Sequence, residues 1–312
     1  MADAEHLADV MIERFIVAVN EGLDLVPVVA DSTSTAKIKP FMEAFPGRVV
    51  NVGIAEQTMV GTAAGLALGG KVAATCNAAP FLVSRANEQI KVDVCYNDLP
   101  VKMFGLNAGA SYGPLASTHH ATDDISIMRG FGNVQIFAPS CPLEAGQIID
   151  LALRSDEPVY IRLDGKPLPR LHEPGHAFVV GRIDRLRDGA DLMFVALGSA
   201  VHEAISASDA LRASGIGAAV IALPSIRPLD RDALAEALRD QRTVISVEEH
   251  NINGGVGSIV AETLAEQGIG ARLHRLGVGD GCYAIAGDRA ATRAHLGIDA
   301  DSLIALARRL RT

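Results

Sequence analysis

Tryptophan is absent from these 312 residues, and the aromatic content is only 4%. Recognition by stacking, of bases or of glycans, therefore has few tools. Cysteine is scarce: Cys76, Cys95, Cys141 and Cys282 lie far apart, with no CxxC pair. That spacing excludes a disulfide framework and reads as reduced, mostly buried thiols. Positive charge is also short, with 28 Lys+Arg against 37 Asp+Glu and a formal net charge of −9. A nucleic acid or an anionic membrane is excluded as the main partner, although a local basic pocket can still take an anionic small molecule. No run reaches the ~18 apolar residues of a membrane span. The opening MADAEHLADVMIERF carries acids where a secretory leader has a basic start. The expectation is a cytoplasmic chain with no membrane partner.

What is present is a regular alternation of short apolar runs and helical patterns. Helical spacing over 6–19 is followed by the apolar run LDLVPVVA (23–30). Further strands are expected at 48–53, 71–76, 100–106, 133–138 and 158–163, with helices over 57–68, 82–95, 124–129 and 142–154 between them. Residues 164–187, with three prolines and mixed polarity, interrupt the pattern and read as a linker or crossover. The alternation then resumes with strands at 191–197, 217–223, 243–249 and 271–277, helices over 201–213, 231–239 and 256–267, and a last amphipathic segment at 300–310. Strand–helix alternation implies α/β architecture with mostly parallel sheets covered on both faces. A length of 312 residues suggests two such domains, because one core rarely grows past ~250 residues.

Ligands in parallel sheets bind beyond the carboxyl ends of the strands, which points to the loops at 31–35, 53–56, 77–81, 107–120 and 139–141 and to Asp164. In NVGIAEQTMVGTAAGLALGG (51–70), Glu56 sits where a helix dipole favours a carboxylate. Spacing alone leaves it either a helix-start charge or a functional acid. The loop NAGASYGPLASTHHATDD (107–124) is long and ends in His119 and His120, which suit acid–base or hydrogen-bonding work or are incidental to a surface loop. No third ligand at recognisable spacing makes them a metal site. EEHNINGGVGS (248–258) is a Gly-rich turn suited to tight packing or to an anion, and His250 could face a neighbouring subunit.

VVADSTSTA (28–36), NVGIAEQTMVGTAAGLAL (51–68), APFLVSRANEQIK (79–91), SYGPLASTHHATDDISIMRGF (111–131), PVYIRLD (158–164) and the run from ALGS to VISVEEHNINGGVGS (196–258) together resemble the C-terminal half of transketolases. The resemblance covers essentially the whole chain. It implies a pyrimidine-binding domain (1–172), a linker (173–188) and a smaller α/β transketolase C-terminal domain (189–312). It extends to 1-deoxyxylulose-phosphate synthases and to beta subunits of 2-oxo-acid dehydrogenases, which keep those chemistries, and a non-catalytic partner subunit, as alternatives.

The family's cofactor is thiamine diphosphate with Mg2+, held through an additional N-terminal domain. The resemblance therefore implies the small subunit of a split enzyme that shares thiamine diphosphate with a transketolase N-terminal subunit, the latter binding Mg2+, in an α2β2 assembly. No metal ligand is assigned to this chain. GVGDG (277–281) is a turn rather than a metal motif, because no asparagine follows Asn253.

Residue by residue, Glu56 matches the glutamate that hydrogen-bonds the aminopyrimidine ring, and Phe81 matches an aromatic packed against it. His119, with His120 beside it, matches the histidine near substrate hydroxyls. Arg162 and Thr35 match positions that hold the sugar phosphate, a task suited to a guanidinium fork. Asp31 and Ser84 fall on the cofactor side. The chain departs from the pattern where Ala78 and Ser84 replace aromatics, Leu115 replaces an aspartate, and Asn107 stands for a phosphate-contacting histidine. These departures point to ketol transfer between less common sugar phosphates, such as apulose 4-phosphate.

Overall fold

The computed structural model describes residues 4–281 and 286–311. Cys282 lies outside the described residues. The first half runs α1 (Leu7–Asn20), β1 (Leu25–Val29), α2 (Lys39–Ala44), β2 (Val50–Asn51), α3 (Glu56–Leu68) and β3 (Val72–Ala78). A helical stretch of wide π turns at Phe81–Arg85 and Ile90–Tyr96 brackets the short α4 (Asn87–Gln89). Then come β4 (Lys102–Ala108), a 3₁₀ turn over Gly113–Thr118, α5 (Asp124–Arg129), β5 (Gln135–Phe137), α6 (Pro142–Arg154) and β6 (Val159–Asp164). The second half contains β7 (Asp184–Arg187), β8 (Leu192–Ala196), α7 (Ala200–Ala213), β9 (Ala218–Ala222), β10 (Ser225–Arg227), α8 (Arg231–Arg239), β11 (Thr243–Asn251), α9 (Val256–Glu266), β12 (Arg272–Val278), α10 (Arg289–Leu296) and α11 (Ala300–Arg311).

Two sheets result, in the orders β10-β5-β6-β4-β3-β1-β2 and β12-β11-β8-β9-β7. Among these described strands every pairing is parallel except β10 with β5 and β7 with β9. The sheets are mostly parallel, as the sequence reading expected, and the two antiparallel edges, with α2 and α10, are additions to it. The segment read as a linker or crossover ends in β7, an edge strand of the second sheet. The three-residue β10 leaves the second half and extends the first sheet, fixed by Arg227, whose guanidinium donates to the carbonyls of Phe131 and Arg129. Strands this short carry no periodic signal of their own, so only their neighbours make them strands.

One apolar core continues from the first sheet into the second, joining Met59, Val60, Ile136 and Tyr160 to Val195, Ile221, Val256 and Ile259. Alternation along β6 sorts its side chains: Val159, Ile161 and Leu163 enter the core under α1 and α6, whereas Tyr160, Arg162 and Asp164 face the second half.

Those three anchor a buried ionic seam. The Tyr160 hydroxyl donates to Asp124 at 2.7 Å, and Arg162 donates to Asp124 at 3.0 Å and to the carbonyls of Ala121 and Glu249 at 3.2 and 2.9 Å. Arg289 on α10 bridges Asp164 (2.7 Å) and Glu249 (2.9 Å), and Arg293 adds a 3.0 Å contact to Glu249.

The Gly-rich turn at 248–258 serves this packing. Glu248 accepts the N–H groups of Val256 and Gly257 at 2.7 and 2.8 Å, so the start of α9 is filled by the chain's own carboxylate. A Cβ at Gly255 would lie 1.8 Å from that carboxylate. His250 does not face outward as expected. It is fully buried, donating from Nδ1 to Asn251 O at 2.7 Å and accepting the Ser126 N–H at 3.3 Å.

Burial lowers the His250 pKa from 6.5 to about 4. The unfolded chain takes up that proton first, so stability present above pH 6.5 is lost as pH falls toward 4. Burial raises Glu248 to about 7, which acts in the opposite sense, its contribution fading as pH rises through that value. The difference in Tm between wild type and His250→Gln therefore isolates the histidine. It is expected to shift against wild type as pH drops from 6.5 to 4, and a constant difference across that range contradicts the assignment.

Candidate active site

At the carboxyl edge of the first sheet, the loops after β1 and β2 are tied by one side chain. Asn51 Oδ1 accepts the N–H groups of Asp31 and Gly53, each at 3.0 Å. Gly53 has φ +76°, a conformation that costs glycine little. This turn delivers Glu56 as the first residue of α3, where the macrodipole favours a carboxylate.

Glu56 is only 3% exposed, and both of its oxygens are engaged. Asn77, at the end of β3, donates to Oε1 at 3.2 Å, and Arg85 donates to Oε2 at 2.7 Å. Asn77 Oδ1 is buried without a hydrogen-bond partner, an expensive condition for an amide acceptor. Arg85 also lies over the Phe81 ring, 4.7 Å from its centroid. Phe81 then meets the His119 ring edge-on at 5.2 Å, and Tyr112 meets His119 at 5.6 Å.

Glu56, Phe81 and His119 are thus linked through Arg85. Neither Arg85 nor Asn77 stands out in the sequence, nor does Tyr112. The available signal for Arg85 is its i+4 spacing from Phe81 in a helical segment.

The histidine loop is shaped by Ala116, whose φ of 59° and ψ of −160° lie in a region normally left to glycine. Its carbonyl accepts the N–H groups of both His119 and His120 at 2.9 Å. The two histidines then diverge. His119 Nδ1 pairs with Thr118 Oγ1 at 2.9 Å, leaving Nε2 for another partner. His120 is buried, and its Nε2 donates to Gly113 O at 2.9 Å, so it braces the turn rather than facing the cluster.

The remaining sequence candidates do not converge on Glu56. Asp31 is exposed, with φ +61°, and Ser84 is exposed beside Arg85. Thr35 and Asn107 share a cavity of about 130 Å3 with His6, Lys37 and Asp164. Arg162 does not line it. Its guanidinium, 6% exposed, is committed to Asp124 and two carbonyls, so the expected fork for phosphate is turned into the seam between the sheets. A strand register specifies which face Arg162 is on but not which acid waits there. Apolar side chains flank the cluster in the open: Ile54, just before Glu56, is 79% exposed, and Leu115, in the turn before His119, is 51% exposed.

Tandem, mostly parallel sheets, with a buried carboxylate and an aromatic cluster beyond the strand ends of the first, make this a two-domain α/β protein with a candidate site at that edge. The transketolase pyrimidine-binding domain matches residues 9–169, and the transketolase C-terminal domain matches 181–303. The chain belongs to the transketolase family, a family of thiamine-diphosphate enzymes.

It is 65% identical, over 98% of its length and 99% of the relative's, to one of the subunits of the apulose-4-phosphate transketolase of Actinobacillus succinogenes. Identity to the protein of the same description in Phocaeicola vulgatus is 36%, over 90% of this chain and 89% of that one. A solved split-gene transketolase, described as an inactive beta4 tetramer, superposes with a TM-score of 0.87 at 32% identity, covering 99% of each chain. No helix among the described residues is long and apolar enough to cross a membrane.

Proposed function

We propose that this chain is the C-terminal subunit of a split transketolase, completing a thiamine-diphosphate site with an N-terminal subunit that holds the diphosphate and Mg2+. The observation that carries the reading is the buried Glu56 carboxylate beside the orphaned Asn77 Oδ1, joined to Phe81 through Arg85. An aminopyrimidine would fit that set: the Glu56 carboxyl would share a proton with a ring nitrogen, and Asn77 Oδ1 would accept an N–H of the exocyclic amine. When bound, the cofactor supplies the nucleophilic carbon that carries the two-carbon unit from a ketose phosphate to an aldose phosphate.

The chain's own residues do the rest. Glu56 holds the proton at the pyrimidine ring nitrogen, and Arg85 and Asn77 fix its orientation. Phe81 packs the ring. His119 presents Nε2 to a substrate hydroxyl, with its ring held between Phe81 and Tyr112. Thr35 and Asn107 line the cavity offered to the phosphate end, which they share with Asp164 and with Lys37, whose ammonium is paired with Asp9. The exposed Ile54 and Leu115 belong to the face that a further subunit covers, consistent with an α2β2 assembly, and the inactive beta-only tetramer of the solved relative fits a half-site. The 65% identity to part of an apulose-4-phosphate transketolase supports that ketose phosphate as donor.

Reconstitution tests the proposal. The purified chain with thiamine diphosphate and Mg2+ is expected to turn over no ketose phosphate until the N-terminal subunit is added. Turnover by the chain alone overturns the split-site reading. Consumption of pyruvate in place of any ketose phosphate by the pair moves the protein to synthase-type chemistry.

A further inference from the structure

Residues 165–183, between the two sheets, form neither strand nor helix, yet two histidines in this stretch are held from both sides. His172 and His176 stack their rings at 3.7 Å and 7°. His172 Nε2 lies 2.7 Å from Glu144 Oε1, on the first turn of α6, and 3.3 Å from Asp184 Oδ2, at the start of β7. His176 Nε2 lies 3.5 Å from the same Asp184 oxygen. Cys141 Sγ, at the N-cap of α6, is within 4.8 Å of the Glu144 and His172 ligand atoms.

His172 Nε2 is hydrogen-bonded to Glu144 at 2.7 Å, whereas Asp184 Oδ2 is faced by two ring nitrogens at 3.3 and 3.5 Å, both beyond a good N–H···O distance. A tetrahedral cation with bonds of ~2.0–2.1 Å sets its ligand atoms about 3.3–3.4 Å apart, which is the spacing found around Asp184 Oδ2. Two imidazoles and one carboxylate form a borderline donor set, suited to zinc-class ions rather than to the all-oxygen shells of Mg2+ or Ca2+.

We propose that His172, His176 and Asp184, with a water as the fourth ligand, bind one divalent cation of the zinc class at the junction of the connecting segment and β7, Glu144 giving up its hydrogen bond to His172 Nε2 as the ion enters. The site is separate from the Glu56 cluster and from the Mg2+ assigned to the N-terminal subunit. Binding requires the two ring planes to open into a V with the ion at its apex. His176, the more exposed of the pair at 18%, has the freedom to do this, and a cavity of about 220 Å3 adjoins His172. His172 and His176 have the H-x3-H spacing of a ligand pair, but nothing in the sequence marks Asp184 as their partner.

The test uses the tag-free chain, stripped with chelator and titrated with Co2+ at slightly alkaline pH. One equivalent is expected to bind with the visible d–d absorption of a four-coordinate ion, and stoichiometric Zn2+ is expected to displace it and to raise Tm. His176→Ala and Asp184→Asn should each weaken binding by at least ~10-fold, since even groups outside the first coordination shell cost 10–100-fold. His295→Gln, a histidine elsewhere on the chain, should change nothing. Melting curves on both ligand variants confirm that they are folded. Absence of the d–d band, or equal affinity in the two variants and wild type, overturns the proposal. So does a strong near-ultraviolet thiolate-to-cobalt band, which would place the ion on Cys141 instead of Asp184 and His176.

Discussion

Glu56→Ala is expected to lower two-carbon transfer by the reconstituted pair about 10²–10⁴-fold, the range for removing a positioned proton-transfer group. The fold should survive the change. Arg85 is 47% exposed and can return to water, so the main structural cost is the Asn77 amide left without its acceptor, ~1–3 kcal/mol. Glu56→Gln separates charge from shape: it keeps an oxygen for Asn77 but cannot stabilise a protonated ring nitrogen, and should be nearly as inactive with a smaller loss of Tm. Turnover of either variant near wild type, in material with a normal melt, would remove Glu56 from the mechanism. A drop in activity matched by failure to assemble with the N-terminal subunit would instead make it an interface residue, which sedimentation of the pair would reveal.

The second large effect lies far from the reacting atoms. Arg289→Met should destabilise the chain by about 3–5 kcal/mol near neutral pH, because it leaves buried carboxylates without their counter-charge. Asp164 would lose its counter-charge and keep the Lys166 N–H, and Glu249 would keep Arg293 with the Ala110 N–H and the Ser199 hydroxyl. Burial alone would raise both acids, and it is the hydrogen bonds and charge of Arg289 that hold Asp164 well below its usual range. In wild type, therefore, Asp164 contributes stability above pH 4 that is lost as pH falls through its depressed pKa. In the variant the same acid is raised, so its penalty grows as pH rises. The gap in unfolding free energy between the two proteins should shrink on acidification toward pH 4, as measured by denaturant titration. A gap independent of pH would mean that Arg289 acts through packing alone.

These two sites are unequally visible in the sequence. The Glu56 region is local: a glycine-containing turn, a carboxylate at a helix start and an apolar helix follow one another in NVGIAEQTMVG, and the resemblance to transketolases rests on such contiguous segments. Phe81 and His119 are legible for the same reason. Arg162 misleads because its identity matches a phosphate-holding position while its environment is set by Asp124 and by the Glu249 carbonyl, 38 and 87 residues away. The Arg289 bridge to Asp164 spans 125 residues and leaves no trace in any window of sequence.

By itself, the sequence determined the mostly parallel α/β class, the order of the main strands and helices, the family and the candidacy of Glu56, Phe81 and His119 on the segments that follow β2, β3 and β4. Those properties follow from period, capping and turn chemistry, which act over a few residues. Only the tertiary structure decided that β10 joins the first sheet, that Arg85 joins Glu56 to Phe81, that Arg162 and His250 are sealed inside, and that two linker histidines meet Glu144 and Asp184. Each of these depends on which distant group the fold brings within about 3–4 Å, where burial and charge become strong enough to select one partner.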